Sequence, residues 1–379
     1  MKDTSISICK GIAIILMVMG HAECPSHIGR FIYEFHMPLF FITSGYFFSL
    51  KYINDEATFL KKKIKGIYWP FVKWSFFFLI IHNFMFDLGV MNEQYGNASG
   101  GVAHPYTWHQ MQQNLWSIIT FMGGYDVFLA GAFWFFRALF VGSILYLVVF
   151  KLVYSLRLKE FDNLCGISKH QVTKTGIMVC VIMLLLCAWK TSERLTINSI
   201  AQGGYRDLMG CFFIGCGFLM QNRLNKIQLS WWLAALLFGI VLAFAEYAPS
   251  NMAWNATFLQ FVKLPVPAIS GFFMLYIISR KIDLHDTVLK RFLVFCGNNT
   301  LYVFIFHIIS FKLVSIVKII YYHLDWQQIG CHMVIHEHAK DDYFWIAYTI
   351  VGVAVPLLSY RVYEQVKSFL VSNFNKVSQ

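Results

Sequence analysis

Ten apolar runs separated by polar connections extend along almost the whole chain. They are Ile6 to Gly20, Phe35 to Leu50, Ile67 to Phe86, Phe128 to Phe150, Thr175 to Trp189, Asp207 to Met220, Trp231 to Phe244, Leu264 to Ser279, Leu301 to Ile320 and Phe344 to Val362. In lipid, every backbone polar group must be bonded within the protein, so such runs form transmembrane helices. We therefore expect an all-α integral membrane protein with about ten transmembrane helices. It forms one polytopic domain over residues 1–379, with outer loops at about 87–130 and 321–343.

The composition supports a membrane protein. Of the 379 residues, 58% are hydrophobic and only 13% are charged, whereas soluble proteins contain about 25% charged residues. The net charge of +11 is compatible with nucleic-acid binding, but in so apolar a chain it indicates basic residues held in cytoplasmic loops. We therefore expect the protein to associate with the lipid bilayer and not with a nucleic acid.

Basic residues also predict the orientation of the chain. The second connection contains five lysines, Lys51, Lys61, Lys62, Lys63 and Lys65, whereas residues 74–136 contain no lysine or arginine. The positive-inside rule then places the second connection in the cytoplasm and the third outside. Both termini are expected in the cytoplasm, in a multi-pass protein of the cell membrane.

The first apolar run carries Lys10 and His21. On a helix, eleven positions bring two side chains to within roughly 20° of one face, about 16 Å apart along the axis. Ionisable groups at membrane depth are costly and mark a functional path or site by default. A helix-end histidine that only satisfies a neighbour is the alternative.

Five segments, in order along the chain, carry a family resemblance. They are the run from Lys10 to His21, Phe35 to Phe48, Lys61 to Lys65 ahead of Pro70, Phe133 to Phe140, and Gly297 to His307. Together they resemble the acyltransferase 3 family of integral membrane acyltransferases, and most closely its fucose 4-O-acetyltransferase-like branch. The resemblance implies transfer of an acyl group, usually acetyl, from cytoplasmic acyl-CoA to a carbohydrate hydroxyl.

The resemblance also implies roles for individual residues. Members of the family carry a basic residue and a histidine on the first helix, matched here by Lys10 and His21. A second basic pair is matched by Lys62 and Lys65. Sugar-acetylating relatives carry an aspartate at the position of Ser7, so a role that needs a carboxylate there is in doubt.

The chemistry of acetyl transfer fits these residues. Moving acetyl from a thioester to an alcohol needs a base near neutrality, and a neutral histidine is the usual choice, contributing about 10²- to 10⁴-fold. We assign the catalytic base to His21, with Lys10 guiding the anionic donor. His21 could instead be acylated itself, and the sequence leaves direct transfer and an acyl-histidine intermediate open.

A basic patch provides the candidate donor site. Lys61, Lys62 and Lys65 would concentrate a polyanion such as coenzyme A at the cytoplasmic mouth. The same placement is expected of topogenic or lipid-binding lysines. We expect acetyl-CoA, or another acyl-CoA, as co-substrate and no permanently bound cofactor.

Six further side chains are candidates for acceptor binding or support. They are Glu34, His36, Trp134, Arg137, Asn299 and His307. Arg137 lies inside an apolar span, where an unpaired guanidinium is expensive. Glu34 or Asp126 is a possible partner, and snorkelling to the interface is the alternative. For Asn299 and His307 the alternative is ordinary interhelical hydrogen bonding.

The last outer connection contains His332, His336 and His338. Their spacing matches no specific zinc signature. We therefore predict a solvated polar loop and no metal site.

A second function class fits the same helices. A polytopic transporter or flippase of a lipid-linked glycan would also place ionisable residues inside the membrane. It leaves the basic patch beside Lys10 and His21 unexplained. For an enzyme, the acceptor would be a surface polysaccharide, exopolysaccharide, glycolipid or lipid-linked precursor, and the sequence does not specify the sugar, its hydroxyl or the acyl length.

Overall fold

A computed structural model describes residues 4–96, 101–158, 169–195, 204–221, 224, 230–253, 255–339 and 341–377. Within these ranges the chain forms helices and no strand. The α-helices are α1 (Thr4–His21), α2 (Ser26–Tyr33), α3 (His36–Tyr46), α4 (Glu56–Lys63), α5 (Trp69–Asp87), α6 (Trp108–Phe121), α7 (Val127–Ala130), α8 (Trp134–Leu158), α9 (Lys169–Ser192), α10 (Tyr205–Met220), α11 (Trp231–Tyr247), α12 (Phe258–Lys263), α13 (Pro265–Asp283), α14 (Val288–Asn298), α15 (Thr300–Tyr322) and α16 (Phe344–Val377). The prediction of an all-helical chain is confirmed.

Each of the ten apolar runs contains a helix, but the helices differ in length. Among the described residues, seven helical segments are long and apolar enough to cross a membrane: Thr4–His21, Glu56–Asp87, Val127–Leu156, Gln171–Ser192, Phe258–Asp283, Thr300–Tyr322 and Phe344–Phe369. The other three helices, α3, α10 and α11, have 11, 16 and 17 residues. At 1.5 Å per residue they span about 16 to 26 Å, less than a hydrocarbon core of about 30 Å. The count of ten crossings and the cytoplasmic termini stay predictions.

Helix α1 lies inside the bundle and packs closely against α14. The approach is so tight that a Cβ atom on Gly297 would lie 1.7 Å from the Ser7 carbonyl oxygen. A Cβ atom on Gly11 would lie 2.2 Å from the Leu293 carbonyl oxygen. Small residues let helix backbones touch in membrane bundles. These glycines therefore fix the position of the helix that carries Lys10 and His21.

Helices α3 and α10 form a second close pair in the interior. A Cβ atom on Gly45 would lie 1.9 Å from the Ile214 carbonyl oxygen, and one on Gly217 would lie 1.9 Å from that of Ile42. Most side chains of both helices are buried. Other helices surround this pair, so its short members need little contact with lipid.

Helices α4 and α5 are continuous through a π-helical turn at Ile64–Tyr68. A π turn inserts one extra residue into the α-helical register. The turn therefore shifts the helical phase between α4 and α5.

The described parts of the two long connections pack against each other. The backbone N–H of His332 donates to the Gly96 carbonyl at 2.9 Å. From α15, Lys312 Nζ donates to the Ile329 carbonyl at 2.6 Å, and Lys318 Nζ lies 2.8 Å from Asp342 Oδ2. Two buried lysines therefore hold the last connection onto α15.

Candidate active site

His21 ends α1 and contacts His307 of α15. Nδ1 of His21 lies 2.9 Å from Nε2 of His307, and the two rings stack with centroids 5.1 Å apart. Nδ1 of His307 lies 3.1 Å from the Val303 carbonyl and 3.0 Å from that of Phe304. A carbonyl only accepts, so His307 Nδ1 carries the proton, and in the neutral ring Nε2 accepts from His21 Nδ1–H. Neutral His21 is then left with its lone pair on Nε2, as a general base requires.

A cavity of about 330 Å³ adjoins His21. We call it the His21 cavity. Its wall includes His36, whose Nδ1 donates to the Ile32 carbonyl at 2.8 Å. The hydroxyl of Tyr33, also in the wall, donates to the Gly20 carbonyl at 2.9 Å. By the same tautomer argument, neutral His36 has its lone pair on Nε2.

An aromatic and cationic pair lines another side of the His21 cavity. The guanidinium carbon of Arg206 lies 3.8 Å from the centroid of the Trp134 ring. Nε of Arg206 donates to the Met252 carbonyl at 2.7 Å. This cation–π contact holds both side chains in fixed positions against the cavity.

A second cavity, of about 300 Å³, adjoins Lys10. We call it the Lys10 cavity. Its wall is mostly apolar, with polar contributions from Lys10, Thr43, Ser44 and Thr300. Three residues line both cavities: Met17, Met37 and Phe304. The two cavities are therefore neighbours across a shared wall, with Lys10 at one cavity and His21 at the other.

The lysine cluster of the second connection divides between several surroundings. Lys61 is exposed, and Lys62 donates to the Tyr52 hydroxyl at 2.9 Å. Lys63, which the sequence analysis did not select, donates to Ser44 Oγ at 3.3 Å and so reaches the wall of the Lys10 cavity. Lys65 lines a different groove, beside α16. Two positions on a helix differ by about 200°, so Lys63 and Lys65 point to nearly opposite sides.

Arg137 has a partner that sequence reasoning missed. Its Nη1 lies 3.2 Å from Asp207 Oδ2, and both side chains are less than a tenth exposed. The expectation of a partner at Glu34 or Asp126 is therefore wrong, as is snorkelling. Asp126 instead pairs with His82 and caps α7. Asp207 begins an apolar run, so its sequence context gave no sign of a buried ion pair.

Glu34 is fully buried and holds a loop. The Ser250 N–H donates to its Oε1 at 2.7 Å, and the Ser250 hydroxyl donates to its Oε2 at 2.6 Å. Burial raises the pKa of the Glu34 carboxyl, and the bonds from Ser250 oppose this effect. The residues after Ser250 line the His21 cavity. Glu34 therefore positions a cavity wall.

Asn299 and Ser7 make hydrogen bonds at the ends of α14 and α1. Asn299 lies between α14 and α15, and its amide donates to the Phe295 carbonyl at 2.9 Å. Its neighbour Thr300 reaches the Lys10 cavity. Ser7, at the position where relatives carry an aspartate, donates to the Asn298 side chain at 3.3 Å. The Ser7 bond thus supports the α1–α14 contact.

The three histidines of the last connection have separate partners. His332 packs against Phe128, and burial lowers its pKa to about 4. His336 hydrogen-bonds Glu23, and that bond raises its pKa. His338 stacks on Tyr322. In the part of the chain that the structure describes, no three histidine, cysteine or acidic side chains group as a metal site would require.

Comparison with known proteins gives one match. The family model of the acyltransferase 3 family, described as an acyltransferase domain, matches residues 3–361. No curated protein and no solved structure matches the chain. The family match covers nearly the whole chain and agrees with its several apolar helices, which indicate a multi-pass membrane protein. This chain therefore belongs to the acyltransferase 3 family, whose members are membrane acyltransferases.

Proposed function

We propose that this protein is an O-acetyltransferase of the cell membrane. It moves an acetyl group from cytoplasmic acetyl-CoA to a hydroxyl of a carbohydrate, in a surface polysaccharide or exopolysaccharide, a glycolipid or a lipid-linked precursor. The observation that carries this proposal is the wall of Met17, Met37 and Phe304 that the Lys10 and His21 cavities share. A donor that enters one cavity and an acceptor that enters the other approach each other across this wall, and movement of its side chains would let them react.

The geometry of His21 supports its role as the base. Its free Nε2 takes the proton of the acceptor hydroxyl, and the resulting oxygen attacks the thioester carbonyl carbon. The carbon–sulfur bond breaks, and the thiolate of coenzyme A recovers the proton from His21. His307 stabilises the imidazolium of His21 because its Nε2 accepts from Nδ1–H throughout. The same lone pair could instead attack the thioester and form an acyl-histidine.

Charge around the Lys10 cavity supports entry of the donor there. Lys10 and Lys63 place two cations at an apolar cavity suited to the pantetheine arm of acyl-CoA. Lys61 and Lys62 lie on the preceding turn and are exposed, where they would attract the phosphates of coenzyme A. Lys65, predicted with them, faces the groove beside α16.

The aromatic and cationic wall of the His21 cavity supports entry of the acceptor. Aromatic faces such as that of Trp134 pack against sugar rings, and polar groups orient the hydroxyls. Arg206, Tyr33 and Asn251 supply such groups here. Glu34 supports this wall through Ser250.

A reconstituted assay tests the proposal. Wild-type protein in liposomes receives labelled acetyl-CoA and a glycolipid extract of the native host, and mass spectrometry follows label in saccharide. We expect transfer by wild type, none by folded His21→Ala, and wild-type transfer by His285→Ala, a control at an exposed histidine between α13 and α14.

Two results would count against it. Equal transfer by wild type and His21→Ala would exclude His21 as the base. Movement of a lipid-linked glycan across the bilayer without any use of acetyl-CoA would instead support a transporter or flippase.

A further inference from the structure

A groove of about 540 Å³ lies between α5, α15 and α16. It shares Leu301 with the Lys10 cavity and no lining residue with the His21 cavity. Lys65 and Lys73 line it, together with Trp69, Trp74 and a group of tyrosines. Nothing in the proposed reaction uses this groove. Its two cations and its aromatic wall therefore need a separate explanation.

The π turn aligns the two lysines. Eight positions of a regular α-helix would place Lys65 and Lys73 about 80° apart around the axis. The turn at Ile64–Tyr68 absorbs one residue, so the pair behaves like residues seven apart, within roughly 20° of one face. Both lysines consequently line one groove, from backbone positions about 11 Å apart along the helix axis.

These lysines have no anionic partner within the described chain. Across residues 4–96 and the other described ranges, neither lies within 4 Å of a carboxylate. Lys73 belongs to the apolar segment Glu56–Asp87, and its Nζ lies over the face of Trp74, 4.6 Å from the ring centroid. A cation at such a position is costly unless an anion is near.

The rest of the groove suits an amphiphile. Tyr302 and Tyr360 stack at 4.1 Å and form part of its wall. Trp69 and Tyr363, at its edge, are 58% and 55% exposed, so the groove opens to the surroundings of the helices. Tryptophan and tyrosine gather at the level of lipid headgroups.

We propose that this groove binds an anionic glycerophospholipid. The phosphate lies between Lys65 and Lys73, and the acyl chains pass along Trp74 and Phe306. Basic pockets between transmembrane helices on the cytoplasmic side recognise lipid headgroups in this way. The site does not depend on the acyl transfer proposed above, and it assigns Lys65 to lipid rather than to coenzyme A.

Native mass spectrometry of the delipidated full chain tests the site. Dioleoylphosphatidylglycerol and dioleoylphosphatidylcholine are added separately, without acyl-CoA. We expect wild type to prefer the anionic lipid about 30-fold, since each of the two lysines near a lipid surface adds about 1 kcal/mol. Lys65→Gln/Lys73→Gln should lose the preference. Lys51→Gln/Lys281→Gln, which removes equal charge away from the groove, should keep it.

Crosslinking gives an independent readout that does not need the lysine variants to fold. The photoreactive p-benzoylphenylalanine replaces Tyr363 at the groove edge or, as control, Phe292 on α14, which is 46% exposed. We expect phosphatidylglycerol to crosslink at position 363 and not at 292. Equal binding of both lipids, an unchanged preference in the double variant, or loss of the crosslink on addition of acetyl-CoA would overturn the proposal, the last by making the groove a donor site.

Discussion

Nδ1 of His21 lies 2.9 Å from Nε2 of His307, although the two residues are 286 positions apart. The backbone carbonyls that hold Nδ1 of His307 decide the direction of the bond. His307 therefore acts on the reaction through His21, as a positioning residue.

Substitution of His307 should weaken catalysis without abolishing it. We expect His307→Leu to lower kcat on the order of tenfold, since one charge-assisted hydrogen bond of about 1.5 kcal/mol is lost. His307→Gln retains an acceptor and should recover most of this loss. Full pH–rate profiles check the assignment: a purely packing role would make Leu and Gln equally active and leave the profile of both unshifted.

Lys10 should act on the donor. We expect Lys10→Met to raise KM for acetyl-CoA about tenfold, as loss of one contact to a charged group costs about 1.5 kcal/mol. Lys10→Arg retains the charge and should stay close to wild type. Initial rates across donor concentrations, with Lys51→Gln as an exposed control, provide the measurement. A fall in kcat with unchanged KM would contradict donor guidance.

Position 297, where α14 packs against α1, should not accommodate a side chain. Gly297→Ala places Cβ 1.7 Å from a backbone oxygen, and overpacking of this kind costs about 1–3 kcal/mol or more. We expect a clear fall in the thermal unfolding temperature in detergent. Gly239→Ala in α11, where a Cβ atom meets nothing within 4 Å, is the matched control and should be neutral or slightly stabilising. Equal unfolding temperatures for both variants would rule out the tight crossing.

The Arg137–Asp207 pair should behave as a buried ion pair. Arg137→Leu leaves the Asp207 carboxylate buried without its partner, which costs about 3–5 kcal/mol. The double variant Arg137→Leu/Asp207→Leu removes both charges and should recover much of this loss. Chemical denaturation measures the free energy of unfolding of the single and double variants. Losses of unfolding free energy that simply add in the double variant would argue against the pairing.

The hydrogen bond between His336 and Glu23, which holds the connection between α15 and α16 in place, should weaken as pH rises. The hydrogen bond that the His336 ring donates to the Glu23 carboxylate raises the pKa of His336 above its ordinary 6.5. The bond therefore stabilises the folded loop fully below pH 6.5, and this contribution is lost as pH rises through the raised pKa. Hydrogen exchange of residues 331–339 should accelerate over that window in wild type. In His336→Gln the extra dependence should vanish; its persistence would assign it to another group.

Much of the architecture could be predicted from the sequence, because the bilayer imposes a local rule. A backbone in lipid must bond to itself, so each apolar run had to form a helix. The spacing of Lys10 and His21 likewise fixes their common face on one helix. These properties depend only on neighbours along the chain.

Only the tertiary structure decided which side chains meet. The pairs His21–His307 and Arg137–Asp207 join distant helices, and their contact depends on how each helix is rotated and shifted against the others. The alignment of Lys65 with Lys73 in one groove depends on a π turn that the sequence pattern does not reveal. The apolar runs of the sequence thus determined where helices form and which ionisable residues each helix carries. Close backbone contacts at Gly11, Gly45, Gly217 and Gly297 set the packing that brings those ionisable residues together.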